Sequence, residues 1–228
     1  HVPVKRGSAR APAAGVSCSV AARADAVAGW LQRAFASDAR ELLEHTELDA
    51  QLVSLRSMQP LAVRFAPDAK GGGGVLRVLT DDMDLAGEIV QDFCAALGLS
   101  ELETIAEFPE AMRTFRSTLQ RVDEFNAVRV QLTAEMADTS SHAKMLVIKA
   151  EDSRILGDMD EMRAAYSQLR TLNAELIGEY NKRANNHEQL LAALKDVNHM
   201  IQKAARLRFG PPKQRVVSSC RAAIKSNN

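Results

Sequence analysis

The stretch ILGDMDEMRAAYSQLRTLNAELIGEYNKRANNHEQLLAALKDVNHMIQKA, residues 155–204, decides the fold. Ile155, Met159, Met162, Tyr166, Leu169, Asn173, Leu176, Tyr180, Arg183, His187, Leu190, Leu194, Val197, Ile201 and Ala204 recur in alternating steps of four and three. Such spacing draws a narrow seam along one side of a helix and demands a second helix to cover it, as in a coiled coil. The polar members Asn173, Arg183 and His187 are suited to setting pairing register. The spacing leaves open whether the covering helix belongs to this chain or to another.

Working outward, no proline interrupts the run from Pro109 to Gly210, just before Pro211, and its only internal glycines are Gly157 and Gly178. Proline at both ends of a proline-free run marks helix. Phe108, Met112, Phe115, Leu119 and Val122 follow the same rhythm, which then shifts to Phe125, Val128, Leu132 and Met136, predicting a first helix over about 109–137 with a broader apolar face. The cap-prone cluster Ala137-Asp138-Thr139-Ser140-Ser141 predicts a break near 138. A second break, a hairpin turn, is expected near 185, where Asn185 and Glu188 form a capping-box pattern; the alternative is a rod running through it.

Before Phe108 the pattern changes. Val16, Cys18 and Val20 alternate with small residues across 15–21, as a half-buried strand would. Val27, Trp30, Leu31, Ala34 and Phe35 share one helical face that carries the only tryptophan, which predicts burial on a sheet. Residues 48–54, 61–65 and 75–80 read as three further strands, with Pro67-Asp68-Ala69-Lys70-Gly71-Gly72-Gly73-Gly74 as a hairpin loop. No Gly-Lys-Ser/Thr or GxGxxG context accompanies these glycines, so a phosphate loop is not indicated. A helix starts at Asp81-Asp82-Met83-Asp84, buries Leu85, Ile89, Phe93 and Leu97, and stops at Gly98. Ser100 to Glu103 predicts a further short helical turn.

The fold class that follows is α+β: a small antiparallel-sheet domain with covering helices, followed by a long α-helical hairpin or coiled coil. Four divisions are expected: a linker at 1–12, the α+β domain at 13–107, the long helices at 108–209, and the start of a further helical segment at 210–228. The chain begins at His1 and not Met, so it is expected to be a piece of a longer protein.

Composition narrows function. The chain has 228 residues, zero formal net charge and 4% aromatic residues, so nothing global draws it to nucleic acid or an anionic membrane. Charge is nonetheless segregated. Residues 81–110 hold acids and no Lys or Arg; after Asp196 there is no acid, while Lys203, Arg206, Arg208, Lys213, Arg215, Arg221 and Lys225 form a basic tail. That tail fits lipid headgroups or, better, a protein surface; too few aromatics interleave with it for nucleic-acid stacking. Cys18, Cys94 and Cys220 are far apart with no CxxC, which fits a reducing compartment. No signal sequence or run of about 18 apolar residues is present.

Catalytic patterns are missing. Asp81, Asp82 and Asp84 lack the alternation and distal Glu of a calcium loop and read as helix caps. His142, His187 and His199 do not fall at the spacing of a helical zinc site, and Ser141-His142 has no nucleophile-elbow context. No catalytic, cofactor-binding or metal residue is assigned, and an enzyme is not expected. The expected working surface is the seam: Ile155, Met159, Met162, Tyr166, Leu169, Leu176, Tyr180, Leu190, Leu194, Val197 and Ile201.

Thr80-Asp81-Asp82-Met83-Asp84-Leu85-Ala86-Gly87-Glu88-Ile89, Ala150-Glu151-Asp152-Ser153-Arg154, Asn185-Asn186-His187 and Cys220-Arg221-Ala222-Ala223-Ile224-Lys225-Ser226-Asn227-Asn228 resemble, in order and spacing, the C-terminal part of the Bardet-Biedl syndrome protein 2 family. The resemblance runs from about Leu48 to the end. It implies a platform domain up to about Glu107 followed by a helical hairpin, and a subunit of the BBSome, a coat-like complex moving membrane proteins to and from cilia with a small Arf-like GTPase. The partners implied are other BBSome subunits and ciliary membrane-protein cargo, with membrane contact only peripheral and no nucleic acid. The implied places are the cilium, its basal body and the cytoplasm. The family's propeller is not in this chain, and the four-glycine loop has no match in the pattern. Beside the scaffold reading stands a homo-oligomeric coiled-coil tether or membrane-surface adaptor with a lipid-reading basic tail.

Overall fold

A computed structural model describes residues 2–3, 12–35, 48–68 and 72–226. The chain divides into two compact units, one of His1–Thr114 with Asn198–Asn228, the other of Phe115–Val197.

In the first unit, strands β1 (Val2–Pro3), β2 (Gly15–Val20), β3 (Leu48–Val53), β4 (Pro60–Pro67), β5 (Gly74–Leu79) and β6 (Ile105–Glu107) make one sheet in the order β1-β3-β4-β5-β2-β6. Every pairing is antiparallel. Alternation sets the register. Leu48, Phe65, Leu76 and Cys18 stand opposite one another across four strands, as do Ala50, Val63, Val78 and Val16, and all eight are buried. Shifting any strand by one residue would turn its apolar row to water. The other face carries Arg64 opposite Arg77, a like-charge pair eased by Asp49, whose carboxylate lies 3.3 Å from Arg64.

Helices α1 (Ala24–Ala34) and α2 (Met83–Leu97) cover the apolar rows. Trp30 is 1% exposed. Its ring meets Phe93 edge-on at 4.8 Å and Phe35 at 5.5 Å, and its indole N–H donates to Asp92 at 2.8 Å. Asp82 caps α2 by accepting from Asp84 N and Leu85 N, and Gly98 ends it in the left-handed region, both as expected. Among the described residues the strand, helix, three-strand, helix order expected from sequence is present in β2 to α2, with the unexpected edge strands β1 before it and β6 after it.

The short helical turn expected at Ser100–Glu103 is not formed. Leu102 bridges Phe209 through paired backbone hydrogen bonds of 3.0 and 3.1 Å, and β6 follows at once to pair with β2. Leu102 is buried and has both backbone groups paired with Phe209, which a helical turn too short to bury a face would not provide. The linker expected at 1–12 falls outside the described residues at His1 and 4–11, while Val2–Pro3 forms the edge strand on β3. Three positions of the glycine-rich loop, 69–71, also lie outside them.

The second unit lies within two helices of equal length, α3 (Pro109–Leu156) and α4 (Met159–Arg206), 48 residues each. At 1.5 Å per residue each runs about 70 Å. Both expected breaks are corrected. The chain stays helical through 137–141 because Thr139 and Ser141 donate their hydroxyls to the carbonyls of Glu135 and Ala137, one turn back, and so do not compete for capping. It stays helical through 184–188, where Asn186 does not open a helix but donates its amide across the hairpin to Phe125 O at 3.0 Å. The turn is at Gly157-Asp158. Gly157 has φ +79, which a glycine adopts without strain, and Asp158 caps α4 by accepting from Glu161 N at 3.0 Å. A last helix, α5 (Pro211–Ser226), starts at a proline in the first helical position and belongs to the first unit.

Candidate interaction surfaces

The hairpin helices run antiparallel, as contacts between Lys149 and Glu161, Tyr166 and Glu151, Thr139 and Glu179, and Asn186 and Phe125 require. On α3, within the second unit, the buried or half-buried positions Phe115, Thr118, Val122, Phe125, Leu132, Met136, Thr139, Ala143, Leu146, Ala150 and Ser153 follow a seven-residue repeat with Arg129 in phase but exposed, and Leu119, Ser140 and Glu151 are half-buried beside them. On α4, within the second unit, they are Met162, Ala165, Leu169, Leu172, Leu176, Glu179, Asn186, Leu190, Ala193 and Val197, with Glu161 and Ala184 half-buried beside them; Ile201 and Ala205, in the first unit, are buried as well.

This places the expected seam residues in two groups. Leu190, Val197 and Ile201 are buried; Met162, Leu169 and Leu176 are half-buried. Ile155, Met159, Tyr166, Tyr180 and Leu194 are exposed. One of the two alternating rows is thus offset by a single position: Ala165, Leu172, Glu179, Asn186 and Ala193 face α3, where the sequence pointed to Tyr166, Asn173, Tyr180, His187 and Leu194. A small side chain lets two backbones come close, and the bulkier neighbour is displaced to the flank. Tyr166, Ile177, Tyr180, Leu191 and Leu194 therefore form a second apolar stripe on α4, beside the covered one, with Ile177 57% and Tyr180 63% exposed. Tyr166 donates to Glu151 at 2.9 Å. That bond, with Arg154 adding to it, holds the Glu151 carboxyl below its ordinary pKa; the same bond and the Glu151 charge raise that of Tyr166, against a smaller opposing pull from Arg154.

The basic tail is largely built into the first unit. Lys203 pairs with Asp84 at 2.5 Å. Gln91 donates its amide to the carbonyls of Arg206 and Arg208, both at 2.8 Å, and Thr104 donates its hydroxyl to Leu207 O at 2.7 Å. Leu207 itself sits in the sheet core at 2% exposure. Lys213 reaches Gln91, and Arg221 donates to Asn198 at 2.8 Å. Arg215 and Lys225 are exposed. Gln91, Thr104 and Leu207, which do the fastening, carried no sequence signal: each bonds or packs more than a hundred residues away.

Two open grooves flank this seam of contacts. One, of about 690 Å3, is lined by Ser54 to Ser57, Asp82, Asp84, Leu85, Glu88, His199, Lys203 and Arg206. The other, of about 470 Å3, lies beside Gln91, Phe209, Lys213, Val217 and Arg221. In the first, Arg56 faces Glu88 at 3.7 Å and Lys203 faces Asp84, so its charges are mutually neutralised. Burial drives the thiol of Cys18 up to about 12, with Cys94 adding to it, and that of Cys94 to about 11. Both are packing groups held as neutral thiols. Among the described residues no three His, Cys, Asp or Glu side chains gather as a metal site would need, and no helix is long and apolar enough to cross a membrane.

Comparison with known proteins points one way. Family models described as the BBS2 platform domain, BBS2 hairpin and BBS2 C-terminal helix bundle match residues 2–97, 109–206 and 211–228. The chain is similar to the BBSome complex member BBS2 of Mus musculus, 38% identical over 221 residues, covering 97% of this chain and 30% of the relative. It is also similar to that of Danio rerio, 45% identical over 167 residues, covering 69% and 23%. The BBSome complex member bbs-2 of Caenorhabditis elegans is 27% identical over 219 residues, covering 95% and 30%. The chain thus spans less than a third of the length of the curated relatives it matches.

Proposed function

The chain belongs to the BBS2 family, and from that premise we propose that it is part of a non-catalytic scaffold subunit of the BBSome, working by adhesion in ciliary membrane-protein trafficking. Its partners on this reading are the other BBSome subunits, and through them ciliary cargo and membrane; its places are the cilium, basal body and cytoplasm. On this reading residues 13–107, with the edge strand Val2–Pro3, form the platform-like domain, 108–209 the helical hairpin and 210–228 the start of a C-terminal helical segment.

The observation that carries it is the second stripe on α4. The hairpin covers one apolar row with α3 and leaves Tyr166, Ile177, Tyr180, Leu191 and Leu194 beside it exposed. Exposed aromatic and aliphatic side chains lined up at helical spacing are what a protein interface uses as anchors. What supports this over a lipid-reading tail is that Lys203, Lys213 and Arg221 already have partners within the chain. A homo-oligomeric tether is tested in the same experiment. Full-length protein carrying Tyr180→Asp and Leu194→Asp is co-expressed with its candidate partner subunits and purified. Loss of the complex with unchanged helicity is expected; an intact complex would contradict the reading, and a self-associating wild type without partners would favour the tether.

A further inference from the structure

We propose that the closed end of the hairpin is a docking knob that seats in an apolar groove, rimmed by lysine or arginine, on another protein. Met145, Ile148 and Ile155 lie on the outward face of α3, away from its seam, and Leu156 and Met159 flank the turn. All five are exposed, Ile155 by 74% and Leu156 by 83%. Met145, Ile148 and Ile155, at i, i+3 and i+10, share one helix face with Asp152 at i+7 between them, and an amphipathic helix anchors in a groove by such a face. Neither folding of the hairpin nor the turn itself needs them: Gly157 and Asp158 make the turn.

Charge identifies the kind of partner. Residues 149–163 contain five acids and three bases, a net charge of −2. Each base is already matched, Lys149 to Glu161, Arg154 to Glu151 and Arg163 to Asp160. Asp152, exposed in line with Ile148 and Ile155, is left to face outward. An anionic leaflet would repel such a surface, whereas a basic-rimmed protein groove complements it.

This rests on the reading of the chain as an assembly subunit, and the test separates the two. Full-length wild type, Ile155→Ser/Leu156→Ser and Asp152→Lys are co-purified with the other subunits at low and high salt, with thermal melting of each as control. The double variant is expected to retain its melting curve and to lose about tenfold in recovered complex, and Asp152→Lys to bind more weakly at low salt only. Unchanged recovery for both variants, beside a wild type that assembles, overturns the knob alone. A wild type that fails to assemble overturns the underlying reading. Flotation of wild type, but not the double variant, on phosphatidylserine vesicles overturns the protein groove in favour of lipid.

Discussion

The sheet unit and the hairpin bury apolar side chains in different geometries, and their surfaces differ accordingly. In the sheet unit two rows of side chains cross four strands and two helices close over them, so Trp30, Leu31, Val63, Phe65, Leu76 and Phe93 are all at most 1% exposed. The hairpin is one-dimensional. Each helix touches one neighbour along one stripe, most stripe residues are only half-buried, and several are small or polar: Thr118, Ala150, Ser153, Ala165, Asn186 and Ala193. A layered core consumes its apolar surface in folding; a two-helix rod leaves a surplus, and the surplus is where binding can occur.

The largest effect that would sharpen this contrast is in the sheet unit. Trp30→Ala removes a fully buried ring and the bond to Asp92, and should cost about 3 to 5 kcal/mol, read by chemical denaturation. A loss below about 1 kcal/mol would show that the layered core is looser than its burial implies. In the hairpin, Leu190→Ala should cost about 2 to 4 kcal/mol, because Leu190 is 6% exposed. Leu194→Ala, four residues on and 36% exposed, should cost less than about 1 kcal/mol. Equal losses at the two positions would erase the distinction between covered row and flank. Next comes Gly157→Ala, which forces a side chain into the left-handed region and should cost about 1 kcal/mol, seen as a lower hairpin melting temperature. Smallest in stability is the thiol pattern. At pH 8 in native conditions an alkylating reagent should modify Cys220 and spare Cys18 and Cys94, whose thiols titrate near 12 and 11, until the unit unfolds; mass spectrometry of the labelled peptides reads this.

Much of the sheet unit was legible because alternation and capping are local signals: Val16-Cys18-Val20 or Asp82-Met83-Asp84 need no distant partner to be read. β6 was missed because three residues, with Ile105 71% exposed, show no alternation to detect. In the hairpin the helices were visible but their turn was not. Thr139 and Ser141 look like a break until their hydroxyls are seen bonding back one turn, while Gly157 offers a single glycine against that whole cluster. One covered row of α4 lies a single position from the row that the spacing pointed to. Hydrophobicity ranks Tyr166 and Leu194 above Ala165 and Ala193, yet close helix approach selects the alanines. The basic tail looked free because its partners are distant in sequence: Gln91 and Thr104 hold its backbone, and Asp84 and Gln91 take the charges of Lys203 and Lys213.

The chain contains two tyrosines, Tyr166 and Tyr180, and both lie on the open flank of α4. Tyrosine-selective chemical modification of the free full-length protein and of the assembled complex, quantified peptide by peptide, therefore reads that flank directly. Adhesion through the flank requires both rings to be modified in the free protein and Tyr180 to be protected at least tenfold on assembly; equal modification of Tyr180 in the two states would contradict it.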